Sequence, residues 1–509
     1  MCVGIYVSEG DEFMNWVLVS LIILYFISIL VMVSIIFVRR ENTGSTVSWL
    51  IIITFLPYVG LIAYFLFGST YKIKIISRRC RLPKIEKMYA EYVGTHIENL
   101  LNDEVEFADS KTEEYIDMIK MNANSALSIY TGDNTVELLT SAQQKYERLF
   151  EDIENAKETI NVLYFIFKSK DKCGKELISL LAKKAKQGIE VKLIYDRFGD
   201  WKKTRYRDFK ELVDAGGKVF RYLPQFIQSA LSANYRMHRK IVTIDGRIAY
   251  TGGINIGDDY LGLDPKIHPW RDTSIRLTGS CVLTLQLRFL YDLIFIEMQK
   301  RGNKGLLPEM KELIFYQKLF IPKGTLKGTA GVQIVASGPD TERAHIKDGY
   351  VKIINSAKNY LYIQTPYFAP DDTLIDCLIM SANSGVDVRV MIPGVPDKKY
   401  IHYITFSNVE QLLEEGIKVY VYNGFLHSKT MVIDDHVATV GTTNLDIRSF
   451  SLNYEVNAFV YDTKFALANR EVFEKDMEKC KELNYTTFRK RGYWQKFCER
   501  ICSLFTPLA

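Results

Sequence analysis

Five residue types recur at one spacing in two places. His238, Lys240, Asp245, Gly252 and Asn255 lie in HRKIVTIDGRIAYTGGIN; His427, Lys429, Asp434, Gly441 and Asn444 lie in HSKTMVIDDHVATVGTTN. Five positions in register are hard to obtain twice by chance. An imidazole attacks or passes a proton, an ammonium supplies positive charge, and a carboxamide supplies a neutral donor. Together these groups suit a phosphate ester whose charge must be held while a bond to phosphorus changes.

The spacing predicts the elements that position them. Residues two apart on a strand share a face, so each His points with its Lys. Ile241 to Ile244 are β-branched and favour a strand. Asp245-Gly246 predicts a two-residue hairpin turn, and Gly252-Gly253 marks a place where backbone approaches a ligand closely. Asp245 and Asp434 are expected to organise the hairpin and the backbone beside it rather than to do chemistry. Each hairpin closes a longer repeat. Strands from Ile160, Gly188-Ile189-Glu190-Val191 and Gly217-Lys218-Val219 are answered by strands from Tyr360, Gly385-Val386-Asp387-Val388 and Gly416-Ile417-Lys418-Val419. Strands alternating with helices, twice, predict two α/β domains at 126–325 and 326–509. The first carries an insertion, Tyr222 through Asn234, whose apolar residues either touch lipid or cap the core.

The N-terminal part is of another kind. Trp16 to Val38 runs 23 residues without a charge, and Val47 to Phe67 runs 21. Both are long enough to cross a bilayer, and Pro57 and Gly60 are tolerated there. Residues 1–75 therefore read as a membrane anchor of two transmembrane helices. Lys72, Lys74, Arg78, Arg79 and Arg81 follow the second run, against only Arg39 and Arg40 between the runs. That bias places everything after the anchor in the cytoplasm of a multi-pass protein. Residues 76–125 read as a charged helical linker, with His96 a solvated member of it. The C-terminal stretch carrying Arg489, Lys490, Arg491, Trp494, Lys496, Phe497, Arg500, Leu504 and Phe505 reads as a basic helix, either on a membrane or packed on the second domain. Eight cysteines show no zinc or Cys-x-x-Cys spacing. Cys498 and Cys502 are expected to be unpaired thiols. A net charge of +5 is too mild to argue for nucleic acid.

The doubled pattern resembles the phospholipase D superfamily. The resemblance implies two similar α/β domains in a pseudo-twofold arrangement that share one active site. It implies a catalytic set of His238, Lys240, Asp245, His427, Lys429 and Asp434, with Asn255 and Asn444 binding substrate. In that superfamily an acidic residue after each hairpin hydrogen-bonds a catalytic imidazole; Asp272 and Glu455 match it. The same analogy makes His238 the nucleophile and His427 the acid/base, although the sequence alone does not separate them. No metal or other cofactor is called for, because two lysines supply the positive charge. The remaining histidines, 268, 345, 402 and 436, match no pattern; His268, near Trp270, is the one to watch.

Over essentially its full length the chain is similar to bacterial cardiolipin synthases. The resemblance is carried by Trp49, Pro57 and Gly60, by Gly257-Asp258-Asp259-Tyr260 and by Pro269-Trp270-Arg271-Asp272. Thr365-Pro366-Tyr367-Phe368 with Pro370-Asp371 carries it too, as does Arg448-Ser449-Phe450 with Asn453 and Glu455. It implies transfer of a phosphatidyl group between two phosphatidylglycerols, giving cardiolipin and glycerol through a phosphohistidine, at the bacterial cell membrane. The expected partners are the anionic lipid substrate and the bilayer. Three alternatives stay open: a membrane-bound phospholipase D hydrolase or other phosphatidyltransferase, a membrane-tethered nuclease, and a silent lipid-binding scaffold. A nuclease needs a long basic groove, whereas the charges gather beside the anchor. Intact motifs in both halves argue against the scaffold.

Overall fold

A computed structural model describes residues 9–38, 43–64, 94–100, 102, 104–105, 107–200, 203–222, 235–301, 328–341, 343–504 and 506. The basic cluster from Lys72 to Arg81 and all of the insertion but Tyr222 lie outside the described residues.

Each half contributes strands to one continuous 16-stranded sheet, fifteen along one path and the short strand Arg236–Met237 beside it. The first half supplies β1 (Tyr130–Leu139), β2 (Thr159–Tyr164), β3 (Glu190–Asp196), β4 (Lys218–Tyr222), β5 (Ile241–Ile244), β6 (Ile248–Gly252) and β7 (Ser274–Thr278). The second supplies β8 (Ala330–Ser337), β9 (Tyr360–Gln364), β10 (Asp387–Pro393), β11 (Lys418–Tyr422), β12 (Thr430–Ile433), β13 (Val437–Gly441), β14 (Asn453–Tyr461) and β15 (Cys480–Glu482). The order is β4-β3-β2-β5-β6-β7-β1-β8-β14-β13-β12-β9-β10-β11-β15. Apart from β15, it reads the same from either edge. The seam is the antiparallel pair β1 and β8, with Tyr130 opposite Gln333. In each half the outer three strands are parallel and the hairpin strands antiparallel. The expected strands and the duplication are therefore present, the halves joined edge to edge.

The strands read as apolar runs because helices cover both faces. Helices Cys281–Arg301 and Thr463–Met477 pack on a core shared by the two halves, which includes Leu285, Leu293, Val332, Val456 and Phe473. The opposite face carries a separate core under each half. Leu100, Tyr115, Met118 and Ile119, from the stretch expected to be a linker, belong to the core of the second half. His96 is not solvated there: its Nε2 accepts the Tyr130 N–H at 3.0 Å, and burial lowers its pKa.

In the N-terminal part, Glu9–Val38 is one helix of 30 residues, long and apolar enough to cross a membrane. The second apolar run behaves differently. It breaks at Leu56, ahead of Pro57, into helices Thr43–Phe55 and Pro57–Ala63. A proline ring removes a donor and crowds the preceding turn. The bend brings Gly60 against Ile52, whose carbonyl oxygen would lie 2.8 Å from any Cβ placed there. The run folds back along the long helix, and Tyr58 Oη donates to the Leu21 carbonyl at 3.1 Å. Only the first run thus forms a helix of spanning length among the described residues.

Candidate active site

Each hairpin forms as expected, with a three-residue connection instead of two: Ile244 pairs Ile248, and Ile433 pairs Val437. Asp245 and Gly246, like Asp434 and Asp435, take positive φ there. The carboxylate of Asp245 accepts the backbone N–H groups of Lys157, Glu158 and Thr159 at 2.7–2.8 Å. Asp434 does the same for Lys358, Asn359 and Tyr360. These two aspartates tie each hairpin to the start of the neighbouring strand and make no contact with the imidazoles.

Short strands passed between the halves build the site. Arg236–Met237 runs parallel to the start of β14, pairing Arg236 with Asn453. Phe425–Leu426 runs parallel to Trp270–Arg271. This exchange sets His238 beside Glu455 and His427 beside Asp272. His238 Nδ1 lies 2.8 and 2.9 Å from the two carboxylate oxygens of Glu455, and His427 Nδ1 lies 2.7 Å from Asp272 Oδ2. A carboxylate only accepts, so it holds the imidazole proton on Nδ1 and leaves Nε2 as the basic nitrogen. Each acid thus orients the histidine of the other half, a pairing that motif spacing does not reveal.

Both histidines, both lysines and both acids are buried. Burial pushes each imidazole down to about 4, against the pull of Glu455 on His238; at His427, Lys429 adds to the drop and Asp272 opposes it. Burial likewise lowers Lys429 to about 8 and takes Lys240 well below the usual lysine range. For Glu455 and Asp272 burial opposes ionisation, but the histidine and lysine beside each acid win and hold it below the ordinary carboxylate value. Both imidazoles are therefore neutral near pH 7. Lys240 Nζ donates to the His238 carbonyl at 2.7 Å, and Lys429 Nζ to the His427 carbonyl at 2.5 Å. An ammonium has three donors, so each keeps capacity for a phosphate oxygen.

The asparagines differ. Asn255 is held at both ends, Oδ1 accepting the Ile166 N–H at 3.1 Å and Nδ2 donating to Tyr260 Oη at 2.7 Å. Asn444 Nδ2 donates to Asp446 at 3.1 Å, while its buried Oδ1 has no partner. The glycines expected to admit a ligand are filled by protein. A Cβ on Gly253 would meet Asp272 Oδ1 at 2.1 Å, and one on Gly252 would meet Ser274 Cα at 2.4 Å.

Several residues around the site escaped the reading of the motif. Thr442 Oγ1 donates to Glu455 Oε2 at 2.5 Å, and Phe165 meets the His238 ring edge-on at 5.0 Å. Arg239, inside the motif, is fully buried and bridges Asp292 and the carbonyls of Glu455 and Ser337. The variable position of His-x-Lys hid it. His268 only contacts the Gly262 carbonyl, at 2.8 Å. His436 bridges the hydroxyls of Thr112 and Thr463, each at 3.0 Å.

Comparison with known proteins agrees with this arrangement. The family described as "Cardiolipin synthase, PLD-like domain" matches residues 149–264 and 350–477, and "Phospholipase_D-nuclease N-terminal" matches residues 26–69. The major cardiolipin synthase ClsA of Bacillus subtilis is 38% identical over 493 residues, which is 96% of this chain and 99% of that protein. A cardiolipin synthase of Staphylococcus aureus is 39% identical over 487 residues, 95% of each. Among solved structures, phosphatidylserine synthase of Haemophilus influenzae shares the fold, with a TM-score of 0.56 at 18% identity, over 76% of this chain and 97% of that one. A doubled His-x-Lys hairpin, an edge-to-edge duplicated sheet and relatives matched nearly end to end agree: the chain belongs to the bacterial cardiolipin synthases of the phospholipase D superfamily.

Proposed function

We propose that this phosphatidyltransferase makes cardiolipin from two phosphatidylglycerols in two displacements at the paired histidines. The observation that carries the reading is the reciprocal pairing of two buried imidazoles with two carboxylates, each imidazole beside its own lysine. Nε2 of neutral His238 attacks phosphorus, and the phosphorus–oxygen bond to the glycerol headgroup breaks as the phosphorus–nitrogen bond forms. Protonated His427 gives its proton to the departing alkoxide. His427 then takes a proton from a glycerol hydroxyl of the second lipid, and that oxygen displaces Nε2. The products are cardiolipin, glycerol and the free enzyme. Lys240 and Lys429, with the amides of Asn255 and Asn444, hold the non-bridging oxygens. A bound phosphodiester places negative charge beside His427 and favours its protonated form. We take 126–325 and 326–509 as the two phospholipase D-like domains and 76–125 as the segment joining them to the anchor.

Lipid mass spectrometry on vesicles of phosphatidylglycerol alone tests the reading. Cardiolipin and free glycerol in equal amounts are expected. Phosphatidic acid as the main product would make the protein a hydrolase instead.

The charges place the catalytic body in the cytoplasm. Two threadings share that outcome: a two-span hairpin, or one crossing by Glu9–Val38 with the second run dipping back into the same leaflet. A specific contact favours the second. Ser48, at the start of the second run, donates to the Leu504 carbonyl at 3.2 Å, which sets the start of that run on the side of the body. Glu9, Asp11 and Glu12 then face outward, and no Lys or Arg lies ahead of the crossing. A cysteine at Asn42 should react with an impermeant maleimide only in opened cells. Reaction in intact spheroplasts would restore the hairpin.

A further inference from the structure

Helix Tyr493–Ser503 docks on the second half by one face only. Arg491 clasps that inner face. Its guanidinium lies 3.6 Å from the centroid of the Phe488 ring and pairs with buried Glu499 at 2.8 Å. It also pairs at 2.9 Å with Glu410, on the helix Lys399–Glu414 against which Tyr493–Ser503 packs. The outer face is of another composition. Trp494, Phe497, Ile501 and Leu504 recur at the three- and four-residue spacing that aligns side chains along a helix. They are 75, 53, 42 and 56% exposed, with Tyr493 beside them at 94%. Exposed Arg489, Lys490 and Arg500 flank the strip, and the acid of this helix, Glu499, is turned inward.

Five large apolar side chains on one face are not an ordinary surface of a monomeric domain. Two observations say what covers them. The strip is continuous with the membrane anchor, because the Leu504 carbonyl at its end accepts the Ser48 hydroxyl of apolar helix Thr43–Phe55. Its border is cationic, which complements lipid phosphates and not a second copy of the same basic helix. We propose that this helix lies flat in the headgroup region of an anionic phospholipid bilayer. Trp494, Phe497, Ile501 and Leu504 point toward the acyl chains, and Arg489, Lys490 and Arg500 sit against the phosphates. The assignment rests on membrane placement of the body and adds a second, in-plane attachment to the anchor.

The test uses the full-length protein with Trp494→Ser and Phe497→Ser combined, and separately Arg500→Glu. Cardiolipin formation is measured in phosphatidylglycerol vesicles and with dispersed short-chain phosphatidylglycerol, which presents no bilayer. The double variant should lose about tenfold in vesicles, the effect of withdrawing two partly buried aromatics from an apolar phase. It should keep the wild-type rate on the dispersed lipid. Amides of 493–504 in the wild type should exchange more slowly in phosphatidylglycerol vesicles than in phosphatidylcholine vesicles, and Arg500→Glu should narrow that difference. Equal losses on both substrates would mark a packing role and overturn the proposal, as would no loss on either. Protection that grows with protein concentration in detergent, without a bilayer, would assign the face to a second copy instead. Failure of the wild type to make cardiolipin at all would refute the proposed reaction, while the exchange difference would still report on the helix.

Discussion

The two halves of the active site repeat one backbone and dress it differently. Two residues before its histidine the first half has Arg236, opposite Asn453; the second has Phe425, opposite Trp270. His427 therefore sits among aromatic rings, with Trp270 and Phe425 centroids at 5.6 Å and Tyr260 at 6.2 Å. His238 meets Phe165 and has polar groups on its exchanged strand pair. Within His-x-Lys the middle residue is Arg239 in one copy and Ser428 in the other. Arg239 lies over the ring of Tyr454, while Ser428 meets Arg271, 3.3 Å from its hydroxyl. Each cross-half pair holds one buried arginine, on opposite sides, and each arginine has its own acid, Asp292 or Asp476. Glu455 is steadied by the Thr442 hydroxyl; Asp272 occupies the space that Gly253 leaves open. The His, Lys, Asn and acid, which the proposed reaction uses, are common to both copies. The rest obeys packing alone, which has more than one solution.

Substitutions in matched pairs measure how far that equivalence extends. The largest effect belongs to the histidines. His238→Ala and His427→Ala should each lower kcat by about 10⁴-fold or more with the fold intact. They should differ under alkaline denaturing quench with labelled phosphatidylglycerol, where only His427→Ala retains a covalent lipid adduct; an adduct confined to His238→Ala would exchange the two roles. Next come the orienting acids. Glu455→Gln and Asp272→Asn should cost roughly 10²–10³-fold in kcat. They should also move the acidic limb of the pH profile. His238 lies at about 4, so the limb of kcat/KM on which the nucleophile is lost to protonation should sit near that value. Each acid raises the pKa of its imidazole, so removing it should shift that limb lower. On the alkaline side, kcat should fall as pH rises through about 8, where Lys429 loses its proton. Thermal melts should separate Arg239→Met, which takes one of two arginines from buried Asp292 and the donor from the Glu455 and Ser337 carbonyls at a cost of about 3 kcal/mol, from Ser428→Ala, expected within about 1 kcal/mol. Smallest in catalysis are Asp245→Ala and Asp434→Ala. Each orphans three backbone donors and should lower stability by about 1–3 kcal/mol with kcat nearly unchanged.

What could be read from the chain follows the range of the forces involved. The hairpins, the duplicated strands and both orienting acids were legible because each rests on local spacing or on residues of fixed chemistry, such as Asp272 and Glu455. Which acid serves which histidine was not. That depends on the pairing of Arg236–Met237 with β14, more than two hundred residues away in sequence. Arg239 and Thr442 were invisible because the motif permits any residue where they stand. Gly252 and Gly253 were legible as points of close approach, and the groups that come near them are β7 and Asp272. The break ahead of Pro57 in the second apolar run was not legible, because composition does not locate it. The stretch around Met118 looked like a linker because its apolar side is recognisable only against the core it covers.

The crossed arrangement of acids has a consequence for ancestry. A polypeptide of half this size, with one hairpin and one trailing carboxylate, would own a histidine with nothing to aim it. Such a precursor could work only by lending its acid to an identical neighbour and borrowing one in return. The β1–β8 seam is where two such chains would meet, and within one chain the two acids need not match: one is aspartate and the other glutamate.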